Sequence, residues 1–339
     1  MCAWKPGIWP ALLALCAPAW CAEIASPADR DSITQQQKTL LEQAQQQREA
    51  LQNNVELPAL PLPVSAAAGA GCQPGRQIVF QGAEHLSWSV KESLARPYQG
   101  RCLTLEHINR LVRETTNAYL QRGYVTSQAW LQKQDISRGV LTVSASEGRI
   151  ESITQNGEQT LALKMAFPGL VGDVLNLRDI EQGMEQLNRL PSQQVAIDIQ
   201  PGEQPGFSNV VLLRGARRAP VSFSFGADNS GQKSTGTGQM NAAFTLDNPL
   251  RLADQWSLSA ARNNDFSPHH RSRSLNGGVT LPYGYWLFSY QYAWNDFFQR
   301  VPFNGAAYRY QGNNQTQRLG ANRTLLRDGK RKLAVDIGL

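Results

Sequence analysis

Through residues 221–339 apolar residues alternate with polar or small ones, and this period of two constrains the fold more than any other feature of the chain. Val221, Phe223, Phe225 and Ala227 share one face of a strand, with Ser222, Ser224, Gly226 and Asp228 on the other. Met240, Ala242, Phe244 and Leu246 repeat the pattern against Gln239, Asn241, Ala243 and Thr245. Further runs at 256–260, 275–281, 286–294 and 333–339 bring the count to about seven strands. The connections take turns. Loops at 228–235 (from Asp228 and Asn229), 262–271 and 295–306 alternate with tight turns at Asn248-Pro249-Leu250, Pro282-Tyr283-Gly284 and Asp328-Gly329. Aromatics (Trp256, Tyr283, Tyr285, Trp294, Phe297, Phe298) fall near the expected strand ends. Strands wet on one side, with tight turns on one rim and loops on the other, describe an antiparallel transmembrane β-barrel. A soluble β-sandwich shares the alternation but does not require that asymmetry of connections.

The N-terminal part reads differently. Lys5 followed by an apolar stretch at 8–20, with small residues at Ala19 and Ala22, describes a signal peptide over 1–22, too short to span a bilayer. Residues 23–54 form an expected helix, opened by Ser26-Pro27 and carrying glutamine runs at 35–37 and 45–47, so polar that it belongs in solvent, in a coiled coil or in a wet cavity. Prolines 58, 61 and 63 mark a linker over 55–71. Of the five cysteines, Cys72 and Cys102 lie beyond the signal peptide, and two cysteines in an exported protein point to one disulfide, against the alternative of two free thiols.

Residues 72–150 and 151–216 read as two copies of one small α+β module, each strand, helix, helix, strand, strand. In the first, 78–80 is a strand and 105–121 a helix with Ile108, Leu111, Val112, Thr115, Ala118 and Tyr119 at helical spacing, capped by Thr104 and ended by Gly123. Strands follow near 125–131 and 140–145. In the second, a strand at 150–154 precedes a helix capped by Asn176 with an inner face of Ile180, Met184, Leu187 and Leu190, then a hairpin of 194–199 with 209–213. Modules of this kind leave sheet edges open, and an open edge accepts an extended peptide as one more strand.

The chain carries a formal charge of +6 with an isoelectric point near 9.1, yet its basic residues are scattered and no nucleic-acid motif accompanies them. There is no HExxH, nucleophile elbow, phosphate loop or dinucleotide glycine pattern, so neither catalysis nor a cofactor is expected. His269-His270 reads as loop, and Asp228, Asp247 and Asp254 as carboxylates satisfying local backbone donors at turns.

Several short motifs, in order, resemble the two-partner secretion transporters of the ShlB/FhaC/HecB family. They are the glutamine-rich helix, Gly100-Arg101-Cys102-Leu103, Arg122-Gly123-Tyr124-Val125-Thr126, Glu147-Gly148-Arg149-Ile150, Pro168-Gly169-Leu170, the segment at 175–183 with Leu187-Asn188-Arg189-Leu190, Asp228-Asn229-Ser230-Gly231 and Asp247-Asn248-Pro249-Leu250. The resemblance implies two periplasmic POTRA domains, a plug helix, and an outer-membrane barrel that exports an unfolded exoprotein such as a hemolysin, an adhesin or a contact-dependent inhibition toxin. It implies that Cys72 and Cys102 bridge the first POTRA domain. It further implies that Leu105, Tyr119, Tyr124, Val140 and Val143 help receive the partner, with outer-membrane lipid as the other contact and no nucleic acid. Barrels of that family have about sixteen strands, so the expectation is of a fragment or truncated product that does not form a pore alone. The alternative role is a periplasmic chaperone or barrel-assembly factor.

Overall fold

A computed structural model describes residues 72–216, 218–229, 231, 235–303 and 305–339; the signal peptide, glutamine-rich helix and linker expected at 1–71 lie outside the described residues. Among these residues no helix is long and apolar enough to cross a membrane.

The first module runs β1 (Gln73–Gly75), β2 (Gln77–Gln81), α1 (Trp88–Ala95), β3 (Arg101–Leu103), α2 (Leu105–Gln121), β4 (Gln128–Trp130) and β5 (Val140–Ser146). Its sheet has the order β2-β5-β4, with β2 parallel and β4 antiparallel to the central β5. The α2 helix has the bounds that its sequence predicts. Thr104 Oγ1 accepts from His107 N at its start, and the helix is followed by Gly123 at a φ of +90°. Leu111 and Val143 are buried where helix meets sheet, each such apolar side chain contributing about 1.5–3 kcal/mol. The β1–β3 pair sets Pro74 opposite Cys102, and Cys72 and Cys102 form a disulfide with Cα atoms 5.3 Å apart.

The second module repeats this plan with β6 (Arg149–Gln155), α3 (Leu161–Ala166), α4 (Leu177–Asn188), a 3-10 turn (Pro191–Gln193), β7 (Val195–Pro201) and β8 (Phe207–Arg214), in the sheet order β6-β8-β7. Ile180, Leu187 and Leu190 are buried in its core, with Met184 packed against them.

The third part is a seven-stranded antiparallel sheet of β9 (Val221–Asp228), β10 (Gln239–Asp247), β11 (Gln255–Asn263), β12 (His270–Tyr283), β13 (Trp286–Phe303), β14 (Ala306–Arg327) and β15 (Lys332–Gly338), each strand paired with the next. Among the described residues β9 and β15 remain its edges. Register separates two faces. One row crosses the sheet as Phe223, Phe244, Leu258, Gly277 and Tyr292, and the adjacent row as Ser222, Thr245, Ser257, Gly278 and Gln291. The apolar face is bare, Phe223 being 71% exposed, as suits strands solvated by hydrocarbon.

Three expectations are corrected. The loop expected at 295–306 is strand: β13 and β14 pair as far as Phe303 with Ala306, and Gly305 at φ +79° closes the hairpin. Trp294, Phe297 and Phe298 therefore lie within a strand and not near its end. The turn at Asn248-Pro249-Leu250 extends to Asp254, and is no shorter than the connection between β11 and β12.

Candidate functional site

The connections that follow β10, β12 and β14 of the membrane sheet meet the second module at one rim. The first spans residues 248–254 and places Asn248, Arg251 and Ala253 in the left-handed region at φ of 56°, 61° and 57°. Non-glycine residues persist there only where their surroundings over-determine them. Asp254 supplies much of that constraint, accepting from the N–H groups of Leu250 (3.2 Å) and Leu252 (3.3 Å) and from Trp256 Nε1 (2.7 Å), while Asn248 Oδ1 accepts from Ala253 N at 2.8 Å. The turn then inserts Ala253 into the second module's core, at 0% exposure. Asp247 acts further afield than a local turn carboxylate, accepting from Ser192 N at 3.0 Å.

Arg189 follows α4 and crosses the junction. Its guanidinium donates to the Ala253 carbonyl at 2.7 Å and to Thr280 Oγ1 at 2.5 Å. Burial lowers its pKa to about 10, opposed by the nearby carboxylates of Asp247 and Asp254.

The second connection, Gly284-Tyr285, joins α3 and α4. Gly284 N donates to the Met165 carbonyl at 2.8 Å, and the Tyr285 hydroxyl donates to Asp179 Oδ1 at 2.5 Å. Burial pushes the Asp179 carboxyl above its ordinary value, against the lowering effect of that hydrogen bond. The third connection brings Arg327, its side chain 3% exposed, onto α4: it donates to Glu181 (3.3 Å), Gln182 (3.0 Å) and Glu185 (2.7 Å). Lys332 pairs with Glu185, and Arg178 with Glu181 at 2.7 Å. The hydrogen bonds from Arg327 offset part of the cost of burying its guanidinium and the Glu181 carboxylate.

A second joint links the modules. Leu177 N donates to the Gly123 carbonyl at 2.8 Å and Asn176 Nδ2 to the Arg122 carbonyl at 3.2 Å. A Cβ on Gly123 would stand 2.4 Å from Asn176 Oδ1, so this close approach requires glycine. Beside it, Glu147 accepts from His85 N (2.8 Å) and the Tyr119 hydroxyl (2.8 Å) and pairs with His85 Nδ1 (2.6 Å). Burial raises the Glu147 carboxyl, but the His85 and Tyr119 hydrogen bonds outweigh it and hold the group below its usual value.

The residues expected to receive a partner separate into two sets. Leu105 is 65% exposed at the start of α2, Val140 is exposed at the start of β5, and Tyr124 is half-buried against His85 and Tyr119. Tyr119 and Val143 are fully buried and build the core of the first module, so neither faces a partner. The open edges are β2 and β4 in the first module and β7 in the second; the outer side of β6 is partly covered by hydrogen bonds between Ile150 and the segment at 172–173. In the membrane sheet, Asp228 ends β9 and accepts from Asn241 Nδ2 at 3.1 Å, with Asn229 following it. Asn248, Pro249 and Leu250 lie in the docked turn. His270 begins β12 and pairs with Asp265. Among the described residues no cluster of His, Cys, Asp or Glu could hold a metal.

Asp179, Glu181 and Arg189 stand in motifs that carry the family resemblance but have no role assigned from sequence, and Glu185 is not singled out at all. Their signal is faint: polar residues on a helix whose inner face is already assigned, with nothing local to mark a second buried face.

Comparison with known proteins matches residues 206–339 to the haemolysin secretion/activation protein ShlB/FhaC/HecB, 74–148 to a ShlB-type POTRA domain and 149–201 to a POTRA domain. The outer membrane transporter CdiB of Escherichia coli is 44% identical over 321 residues, covering 94% of this chain and 54% of that protein. The hemolysin transporter protein ShlB of Serratia marcescens is 38% identical over 258 residues, 76% of this chain and 45% of that protein. The solved structure of CdiB from Escherichia coli superposes with a TM-score of 0.86, covering 92% of this chain and 58% of that one. The chain thus spans about half the length of the curated relatives it matches.

Proposed function

This chain belongs to the ShlB/FhaC/HecB haemolysin secretion/activation family, and we propose that it supplies the POTRA domains and part of the membrane wall of an outer-membrane translocase in two-partner secretion. The modules lie in the periplasm, and the bare apolar face of the sheet lies in outer-membrane lipid. An unfolded exoprotein adds a strand to an open module edge, with Leu105, Val140 and Tyr124 nearby, and passes outward along the polar face. Folding beyond the membrane supplies the direction.

The observation that carries this reading is the docking of the connections after β10, β12 and β14 on α3, α4 and Arg189 just beyond α4. A receiving module fastened to a lipid-facing sheet has a use in handing a chain across a membrane. Binding of an unfolded secretion domain to residues 72–216 tests it by isothermal calorimetry. Saturable binding that weakens when Val140 or Leu105 is replaced by Asp is expected; no binding by a folded module pair overturns it.

A further inference from the structure

The apolar face of the sheet changes character at the end remote from the modules. Register places Arg262, Arg273 and Asp296 side by side in one outward row, continuing the parity of Phe223, Phe244 and Leu258. Arg271 stands in the next outward row, and Arg300 opposite Arg309 beyond it. Five arginines thus share this patch with one carboxylate, that of Asp296, which pairs with Arg271 at 2.8 Å.

Two of the contacts are unfavourable as they stand. Arg262 is directly opposite Arg273, and Arg300 directly opposite Arg309, and like charges facing each other across a ladder destabilise it. The aromatic partners do not neutralise them: Arg262 lies 4.3 Å over the Phe266 ring and Arg309 4.6 Å over Phe298. Arg262 Nε is buried without a hydrogen-bond partner among the described residues. Paired guanidinium groups beside aromatic rings, at the end of a hydrocarbon-facing surface, complement phosphate groups carried on a lipid.

We infer that this arginine patch binds the phosphorylated headgroup of an outer-leaflet lipid, the phosphates bridging the facing arginines and the acyl chains lying along the apolar face. The inference rests on the membrane placement proposed above. The modules dock at the opposite rim, which sets the patch in the leaflet away from the periplasm.

The test titrates the purified full chain, in zwitterionic detergent, with fluorescent lipid A and with its dephosphorylated form. Tighter binding of the phosphorylated lipid is expected, falling by about fivefold for each arginine removed. The double variant Arg262→Gln with Arg273→Gln should weaken it, while Arg318→Gln on the polar face should not. Should the first variant misfold, Arg300→Gln with Arg309→Gln provides the same comparison on the hairpin that extends beyond β12. Equal binding of both lipids, or no effect of either double variant, overturns the inference. Flotation of the same preparation with phosphatidylcholine vesicles separates the failures: a chain that floats but ignores phosphate refutes the patch alone, and one that does not float refutes the membrane placement as well.

Discussion

The guanidinium of Arg189 holds the carbonyl of Ala253 at 2.7 Å, tying the second POTRA domain to a turn of the membrane sheet whose alanine side is sealed inside that domain's own core. Arg189→Ala strips this carbonyl and the Thr280 hydroxyl of a charged donor, a loss of about 1.5–3 kcal/mol. The expected result is faster proteolytic cleavage within residues 177–214 while the sheet still partitions into detergent. Unchanged cleavage would show that the junction is held without it.

Glu147 makes the first module sensitive to acid. Its carboxyl titrates below the ordinary glutamate value in the folded chain, so its contribution is complete above that range and is lost as pH falls through the folded value. Urea midpoints of residues 72–216 should therefore drop between pH 7 and pH 3 more steeply in the native sequence than in Glu147→Gln. Parallel curves would assign the acid sensitivity to other groups.

The disulfide between Cys72 and Cys102 spans a sequence separation of 30 residues. In the chain-entropy account, closing a loop of this size stabilises by about 3–4 kcal/mol. Cys102→Ser should lower the unfolding free energy of the first module by that order, and reduction of the native chain should lower it equally. A variant as stable as the oxidised parent would contradict this.

Phe244 and Ser257 are neighbours on adjacent strands but belong to opposite faces. Phe244→Arg places a charge in hydrocarbon at about 2–4 kcal/mol, whereas Ser257→Lys faces the polar side. Insertion into phosphatidylcholine vesicles, followed by tryptophan fluorescence across a urea series, should fail at lower urea for the first and change little for the second. Equal tolerance would mean that the two faces do not differ in environment, and a larger effect of Ser257→Lys would mean that they are reversed.

Elements whose signals are local were readable from sequence. Thr104 and Gly123 delimit α2, Asn176 opens α4, and the alternation around Phe223 and Phe244 fixes both strand identity and face. The second half of β13 was not: residues 295–306 read as a loop, whereas pairing continues to Phe303 with Ala306 and Gly305 takes the left-handed turn conformation. Tyr119 carries a polar tip that suits an interface, yet Glu147 satisfies it in the core. The rim contacts were the least legible part. Glu185 and Arg327 are 142 positions apart, and only the assembled fold brings them together.

Hydrogen bonds from Leu177 N to the Gly123 carbonyl and from Asn176 to the Arg122 carbonyl join the two POTRA domains, while Arg189 and Arg327 fasten the second of them to the sheet. Under the proposed function, a load placed on the second POTRA domain passes to the sheet through Arg189, Arg327 and the buried Ala253.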